Sequence, residues 1–218
     1  MTPAARTARS RSVPTRRGEA RQQRGDETRA AIIAETVTCI LEEGFSAASA
    51  LHITERADVT WGVIQYHFGD RDQLLMAVVD EGFAGLQRRL ADVEIPSGGP
   101  LRERVAALVE AAWPAFSEPM SMAAIEILVA TRVTRNKTLN RHLVELNDRL
   151  NALGARLVPG RAGTDIADLI WACLRGLMLG QLVTAAPYET RRQRQSLIDV
   201  LTLYLSAESV FGQPGASG

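Results

Sequence analysis

The sequence predicts an all-α protein in which a compact N-terminal unit of three helices is joined to a larger helical body. Three observations lead there. Apolar residues recur every three to four positions along most of the chain, the spacing that gives a helix a single apolar face. No stretch of useful length shows strand-like alternation, and no repeat of fixed period is evident. One segment, Pro96-Ser97-Gly98-Gly99-Pro100, interrupts the periodicity sharply and marks the clearest internal boundary.

The chain opens with an arginine-rich segment, expected to be disordered over residues 1–25 because it holds Pro3, Pro14, Gly18 and Gly25 and almost no large apolar side chains. A net charge of zero conceals an asymmetry: the first 29 residues carry an excess of five positive charges, and residues 30–72 an excess of five negative ones. Such a tail suits attraction to phosphate, since each phosphate it neutralises releases counterions. A merely solvated start is the plainer alternative. No apolar core follows the arginines, so a targeting peptide is not expected.

Helix 1 is expected from about Glu27 to Glu43, with Ile33, Val37, Ile40 and Leu41 on one stripe and Glu35, Glu42 and Glu43 facing water. Two short helices follow, separated by the turn Asp58-Val59-Thr60. Asp58 tolerates the left-handed conformation that such a turn requires, and the Thr60 hydroxyl is suited to cap the helix after it. Ile53, Ala57, Val59, Ile64 and Phe68 form the apolar set that locks the pair together. Trp61, Gly62, Val63, Gln65, Tyr66 and His67 remain for the outer faces of a helix about two turns long.

This is the layout of a helix-turn-helix that reads duplex DNA. Trp61, Val63, Gln65 and Tyr66 are the candidates for base edges or thymine methyls, with Gln65 able to pair bidentately with adenine. Ser49, Thr60, His67 and Arg71 are the candidates for phosphates, and Gly62 would let the backbone approach a groove wall.

At these residues the chain resembles the TetR family of bacterial transcriptional regulators. Gly44-Phe45 matches the typical end of helix 1, and Ile53, Ala57, Val59, Thr60, Gly62, Ile64, Phe68, Leu74 and Arg71, where lysine is usual, match the helix-turn-helix. Asp58 stands in place of a turn glycine, Thr54 of an alanine, Val63 of a threonine and Gln65 of a tyrosine, while Tyr66-His67 presents the aromatic and imidazole groups in exchanged order. The resemblance implies an all-α fold with an N-terminal three-helix helix-turn-helix DNA-binding domain, here residues 26–70, and a C-terminal helical ligand-binding and dimerisation domain, here 71–210, followed by a flexible C-terminus over 211–218.

Helix 4 should restart at Gly69-Asp70-Arg71-Asp72 and carry Leu74, Leu75, Val78, Val79, Phe83, Leu86 and Leu90, linking head to body mechanically. Beyond the Pro-Gly break, five helices are expected over roughly 101–117, 119–135, 138–158, 164–185 and 190–210, each bounded by Pro, Gly or Asn. The apolar run from Ile166 to Ala186 is long enough to raise a membrane span. Asp168 and Arg175 would each cost about 2.5 to 3.5 kcal/mol near a bilayer centre, so a buried helix and no membrane partner are expected.

Ala172, Gly176 and Gly180 form a smooth ridge beside Leu169, and with Leu197, Leu201 and Tyr204 of the last helix they are the candidate dimer interface. Filling a monomer core is the alternative. The family resemblance implies a four-helix dimer contact at this place, and a two-fold dimer implies a near-palindromic operator. Trp113, Phe116, Met120, Met122, Ile125, Val129, Trp171 and Met178 are candidates for an apolar effector cavity, or equally for solid core. Glu126 interrupts an apolar segment, and a buried carboxylate there needs a partner. Arg175, a ligand or an edge position reaching solvent are the options.

Cys39 and Cys173 lie in apolar helical runs and read as buried thiols of a cytoplasmic protein. His52, His67 and His142 show no metal-ligand spacing, and neither a nucleophile elbow nor a phosphate-binding glycine loop occurs. No catalysis, metal or cofactor is expected. The expected function is a homodimeric repressor released from its operator by a small-molecule effector. An activator of the same fold, or a helical binding protein with a degenerate head, remain as alternatives.

Overall fold

The computed structural model describes residues 16–131, 144–145, 148–149, 151–153, 155–156, 161–184 and 189–211. Eight helices are defined: α1 Arg16–Glu43, α2 Ala50–Arg56, α3 Trp61–Phe68, α4 Arg71–Ala91, α5 Leu101–Ser117, α6 Pro119–Ala130, α7 Arg161–Val183 and α8 Arg191–Phe211. The described residues between 144 and 156 are helical too, and no strand occurs among the described residues. The helix expected over 138–158 and the continuation of α6 towards 135 lie largely outside them.

α1 begins at Arg16, well before the expected Glu27, so the second half of the supposed tail is helical. Past Pro14 the segment consists mainly of good helix formers, and Gly18 and Gly25 lower helix propensity without blocking a backbone bond. Side-chain bonds one turn apart support it, from Gln23 Nε2 to Glu27 Oε1 at 3.0 Å and from Thr28 Oγ1 to the Arg24 carbonyl at 2.9 Å. The helix stops at Gly44, whose φ of 85° is a conformation that glycine adopts without strain.

α4 is the centre of the molecule. Asp70 caps it, its Oδ1 accepting from the Gln73 amide at 2.8 Å, and it packs on α1 and α3 at one end and on α5 and α6 towards the other. Its closest approach is to α6: a Cβ placed on Gly82 would lie 2.8 Å from Ala124 Cβ and 3.1 Å from the Met120 carbonyl oxygen. Arg89 pairs with Glu118 at the α5–α6 junction. A single apolar core runs from Ile32, Ile40, Ile53 and Ile64 in the head to Phe116, Ile127, Ile166 and Leu174 in the body.

α7 is not buried all round, contrary to expectation. Ile166, Ala167, Ile170, Leu174 and Met178 face the core, whereas Asp168, Leu169, Ala172, Arg175 and Gly176 are exposed. The helix is long and apolar enough to cross a membrane by length and composition, but its exposed face mixes charge with apolar groups.

Candidate nucleic-acid interface

The turn between α2 and α3 forms as its residues require. Asp58 has φ 49°, the left-handed value, and the Val59 amide donates to the Thr54 carbonyl at 3.1 Å. Ile53 and Ile64 are fully buried and Phe68 nearly so, with Ala57 and Val59 packed beside them. Ser49 caps α2 by accepting from the His52 amide at 3.2 Å. Thr60 differs from expectation. It starts α3 from an extended backbone, φ −86° and ψ 157°, yet its hydroxyl makes no capping bond. Its carbonyl oxygen accepts from the Val63 amide at 3.0 Å, so backbone bonds hold the first turn and the hydroxyl points elsewhere.

The outer side of α3 presents Gly62, Gln65 and Tyr66, the last 80% exposed, with Trp61 at its start 38% exposed. Val63 is half-buried against the core and is less available to a base edge than its position suggested. His67 is also half-buried, its ring edge-on to Tyr66 at 5.0 Å and near α1 at Gly25. On α2, Leu51 is 70% exposed, a position that its apolar character had hidden.

Arg71 was expected at a phosphate, but the structure engages it elsewhere. Its Nε donates to the Ala48 carbonyl at 2.6 Å, and its guanidinium lies 5.2 Å from the centre of the Phe45 ring. It clamps the 44–49 turn to the start of α4, because that turn has carbonyl groups no helix satisfies. Arg29 does similar work on the other side, bonding Glu81 at 3.3 Å and lying over Phe68.

Three acidic side chains of the head converge on one cation that the sequence had not singled out. Arg56, at the end of α2, donates to Glu35 at 2.6 Å, to Glu42 at 2.8 Å and to Glu43. The three carboxylates hold the guanidinium well above its ordinary range. Arg56, and secondarily His52, hold the Glu43 carboxyl below the usual carboxylate range. The backbone amide of Gln73, ahead of its side chain, does the same for Asp70. The signal in the sequence was an isolated arginine between two acidic groups.

Glu126 does not pair with Arg175; it is half-buried, at an edge that reaches solvent. Its Oε1 accepts from the Phe45 backbone amide at 2.7 Å, at the mouth of the turn after α1. The carboxylate of α6 thereby satisfies an amide of the turn that follows α1, and it joins body to head. Arg175 instead lies 5.3 Å from the centre of the Trp171 ring.

Of the expected cavity residues, Phe116, Ile125, Trp171 and Met178 converge with Gly82, Phe83, Leu86, Ser121 and Ala124 around an apolar cavity of ≈ 20 Å³. Phe116 and Trp171 form its aromatic wall, their ring centres 4.7 Å apart. Trp113 lies elsewhere, under Arg194, which also bonds Glu110 at 3.1 Å. Met120 and Met122 pack on the core outside the cavity, and Val129 is 49% exposed.

The candidate dimer residues divide. Leu169, Ala172, Gly176 and Tyr204 are exposed, and a Cβ at Gly176 would meet nothing within 4 Å. Gly180 is half-buried. Leu201 is buried and Leu197 packs on the core, so these two support α8 from within. Val200 and Leu203, not anticipated, take their places on the outer face at 58% and 72% exposure.

The fold also assembles a donor set across the α1–α2 turn. Cys39, Glu43 and His52 bring a thiol, a carboxylate and an imidazole within 4.8 Å of one another. Burial, and then Glu43, push the Cys39 thiol above its ordinary value, and burial does the same for Cys173.

A helix-turn-helix exposing one face of its second helix, mounted on an all-helical body, defines a DNA-binding regulator in architecture. Residues 32–78 match the family model described as bacterial regulatory proteins, tetR family, so the chain carries a DNA-binding domain of that kind. It is similar to the HTH-type transcriptional regulator BetI of Burkholderia ambifaria (strain MC40-6), 27% identical over 199 residues, covering 83% of this chain and 95% of that protein. BetI of Paraburkholderia phytofirmans is 26% identical over 193 residues, covering 82% and 94%. Among solved structures, SCO4454, a TetR-family regulator from Streptomyces coelicolor, superposes with a TM-score of 0.66 at 16% identity, covering 83% of this chain and 97% of that one. A transcriptional regulator from Rhodococcus sp. Rha1 gives 0.64 at 20% identity, covering 82% and 96%.

Proposed function

We propose that the chain acts in the cytoplasm as a homodimeric repressor of a near-palindromic operator and leaves the DNA when a small apolar molecule enters the body. Residues 26–70 then serve as the reading head and residues 71–210 as the effector and dimerisation body. The observation that carries this reading is the course of α4: its first turns pack on α3, and Gly82, Phe83 and Leu86 further along it line the cavity. A molecule that widens the cavity must move α4 against α6, and the head moves with α4. The effector shifts the equilibrium only by its preference for the widened state.

Two further observations support the reading. The apolar groups exposed on α7 and α8, Leu169, Val200 and Leu203, suit a second copy of the chain. A two-fold dimer would set its α3 helices about 34 to 36 Å apart, one turn of DNA. Glu35, Glu42 and Glu43 of the acidic head are tied to Arg56 at the end of α2, on the α1 side of the head and not on α3. The test is a mobility-shift assay on the intergenic DNA flanking the gene, followed by transcription from that promoter. One retarded dimer complex and reduced transcription are expected. No retardation at low salt, or transcription raised by the protein, would overturn the proposal.

A further inference from the structure

We infer that Cys39, Glu43 and His52 form a binding site for a thiophilic divalent cation of the zinc class, at the junction of α1 and α2. Cys39 and Glu43 lie four residues apart on α1 and so share a face one turn from each other, and His52 approaches from the first turn of α2. A thiol, a carboxylate and an imidazole are together the donor types of zinc, whereas magnesium and calcium prefer oxygen alone. The three donor atoms already lie within 4.8 Å of one another.

Glu43 Oε2 and His52 Nε2 are 2.8 Å apart and share a hydrogen bond. Zinc bound tetrahedrally between them, at about 2.0 to 2.2 Å from each, needs the pair roughly 3.3 Å apart. The metal therefore takes the place of the bridging proton, the imidazole binding through Nε2 as the tautomer that carries its hydrogen on Nδ1, and the Glu43–His52 pair parts by about half an ångström. The other oxygen of Glu43 is held by Arg56, which aims the carboxylate. The second ring nitrogen of His52, Nδ1, lies 3.9 Å from the Glu55 carboxylate, which would become the outer partner of a metal-bound imidazole by closing to hydrogen-bond distance. Glu35, Glu42 and Glu43 share the one Arg56 and Glu55 lies beside His52, so the site retains negative charge for a dication.

Binding breaks the Cys39 S–H bond, releases its proton to solvent and forms a metal–sulfur bond, with no change of oxidation state. Glu43 and half-buried His52 form the mouth, and Cys39 the floor. A water molecule completes the tetrahedron. The bound ion would fasten the last turn of α1 to α2 and so stiffen the mount of α3.

The test uses the full chain stripped with chelator and titrated with Co2+, the spectroscopic stand-in for zinc. One ion per chain is expected, with a thiolate-to-cobalt charge-transfer band that Zn2+ abolishes. Glu43→Gln and His52→Ala, both at the accessible mouth, should lose the band while the helical circular dichroism is unchanged. Cys173→Ser should retain it. Absence of the band from the unaltered chain, its survival in both mouth variants or its loss in Cys173→Ser would overturn the site.

Discussion

The carboxylate of Glu126, on α6, accepts the backbone amide hydrogen of Phe45 at 2.7 Å, a direct polar bond between the helical body and the turn that supports α2. A bond to a charged acceptor contributes about 1.5 to 3 kcal/mol when its partner is withdrawn from water. Glu126→Ala should lower stability by about that amount, read by urea denaturation. It should also weaken the coupling between cavity and operator, so that a molecule filling the cavity releases less DNA. Glu126→Gln keeps an acceptor and should fall between the two. Equal operator release in all three proteins would show that the bond transmits nothing.

At Gly82 the α4 and α6 backbones meet with no room for a methyl group. Gly82→Ala gains about 1 kcal/mol in helix propensity and loses about 1 to 3 kcal/mol to overpacking. The neighbouring Ala124 Cβ and Met120 carbonyl are rigid, so the loss should prevail. Operator affinity should fall as α4 is pushed outward, and Ala124→Gly in the same chain should recover part of it. An increase in the urea midpoint of the single variant would mean that the helices separate without cost.

Gln65 is exposed on α3, whereas Arg71 is committed to Ala48 and Phe45. Gln65→Ala should relax preference at one operator position by about 1 to 3 kcal/mol and leave thermal stability unchanged. Arg71→Ala should instead lower the melting temperature, and weaken binding to all sequences through the loosened turn. Fluorescence anisotropy on an operator substitution series, beside thermal melts, separates the two. An Arg71→Ala protein of unaltered melting temperature would return that residue to the phosphate backbone.

The pH dependence follows from Glu43 and Asp70, whose folded carboxyl values lie below their ordinary 4.5 and 3.8. A lowered carboxylate contributes stability that is present above the unfolded value and lost as pH falls through the folded one. The unfolding midpoint should therefore be steady above about pH 4.5 and fall on further acidification. Arg56→Ala, which removes the largest cause of the Glu43 shift, should flatten this acid limb. An acid limb of the same slope in the variant would assign the dependence to other carboxylates.

Leu203 is 72% exposed on α8, beyond the reach of its own core. Leu203→Glu should change the stability of the single chain by no more than about 0.5 kcal/mol, yet shift sedimentation from dimer to monomer and abolish the retarded operator complex. A dimer that persists would place the two-fold contact elsewhere.

The periodicity of apolar residues located most of the helices, and Asp58 behaved as its chemistry required, because both depend on local geometry. The early start of α1 was hidden by two glycines, which lower helix propensity without blocking a backbone bond. Polar partners were the harder matter. Arg71, Arg56 and Glu126 reach carbonyls, carboxylates and an amide between 13 and 81 positions away in the chain, and no spacing rule spans such distances. For the same reason Leu197 and Leu201 read as surface and Leu203 went unnoticed: a helix apolar on more than one side does not declare which side the core will take.

The cavity walled by Phe116 and Trp171 is scarcely larger than one water molecule. Any occupant of useful size must prise its walls apart, and its apparent dissociation constant is the intrinsic one divided by the fraction of time the walls already stand open. In the repressor proposed above, sensitivity to an inducer would be set by the tightness of the resting shell as much as by contacts with the guest. Trimming Leu86 or Met178 would lower the concentration at which the switch responds, without adding any bond to the molecule that throws it.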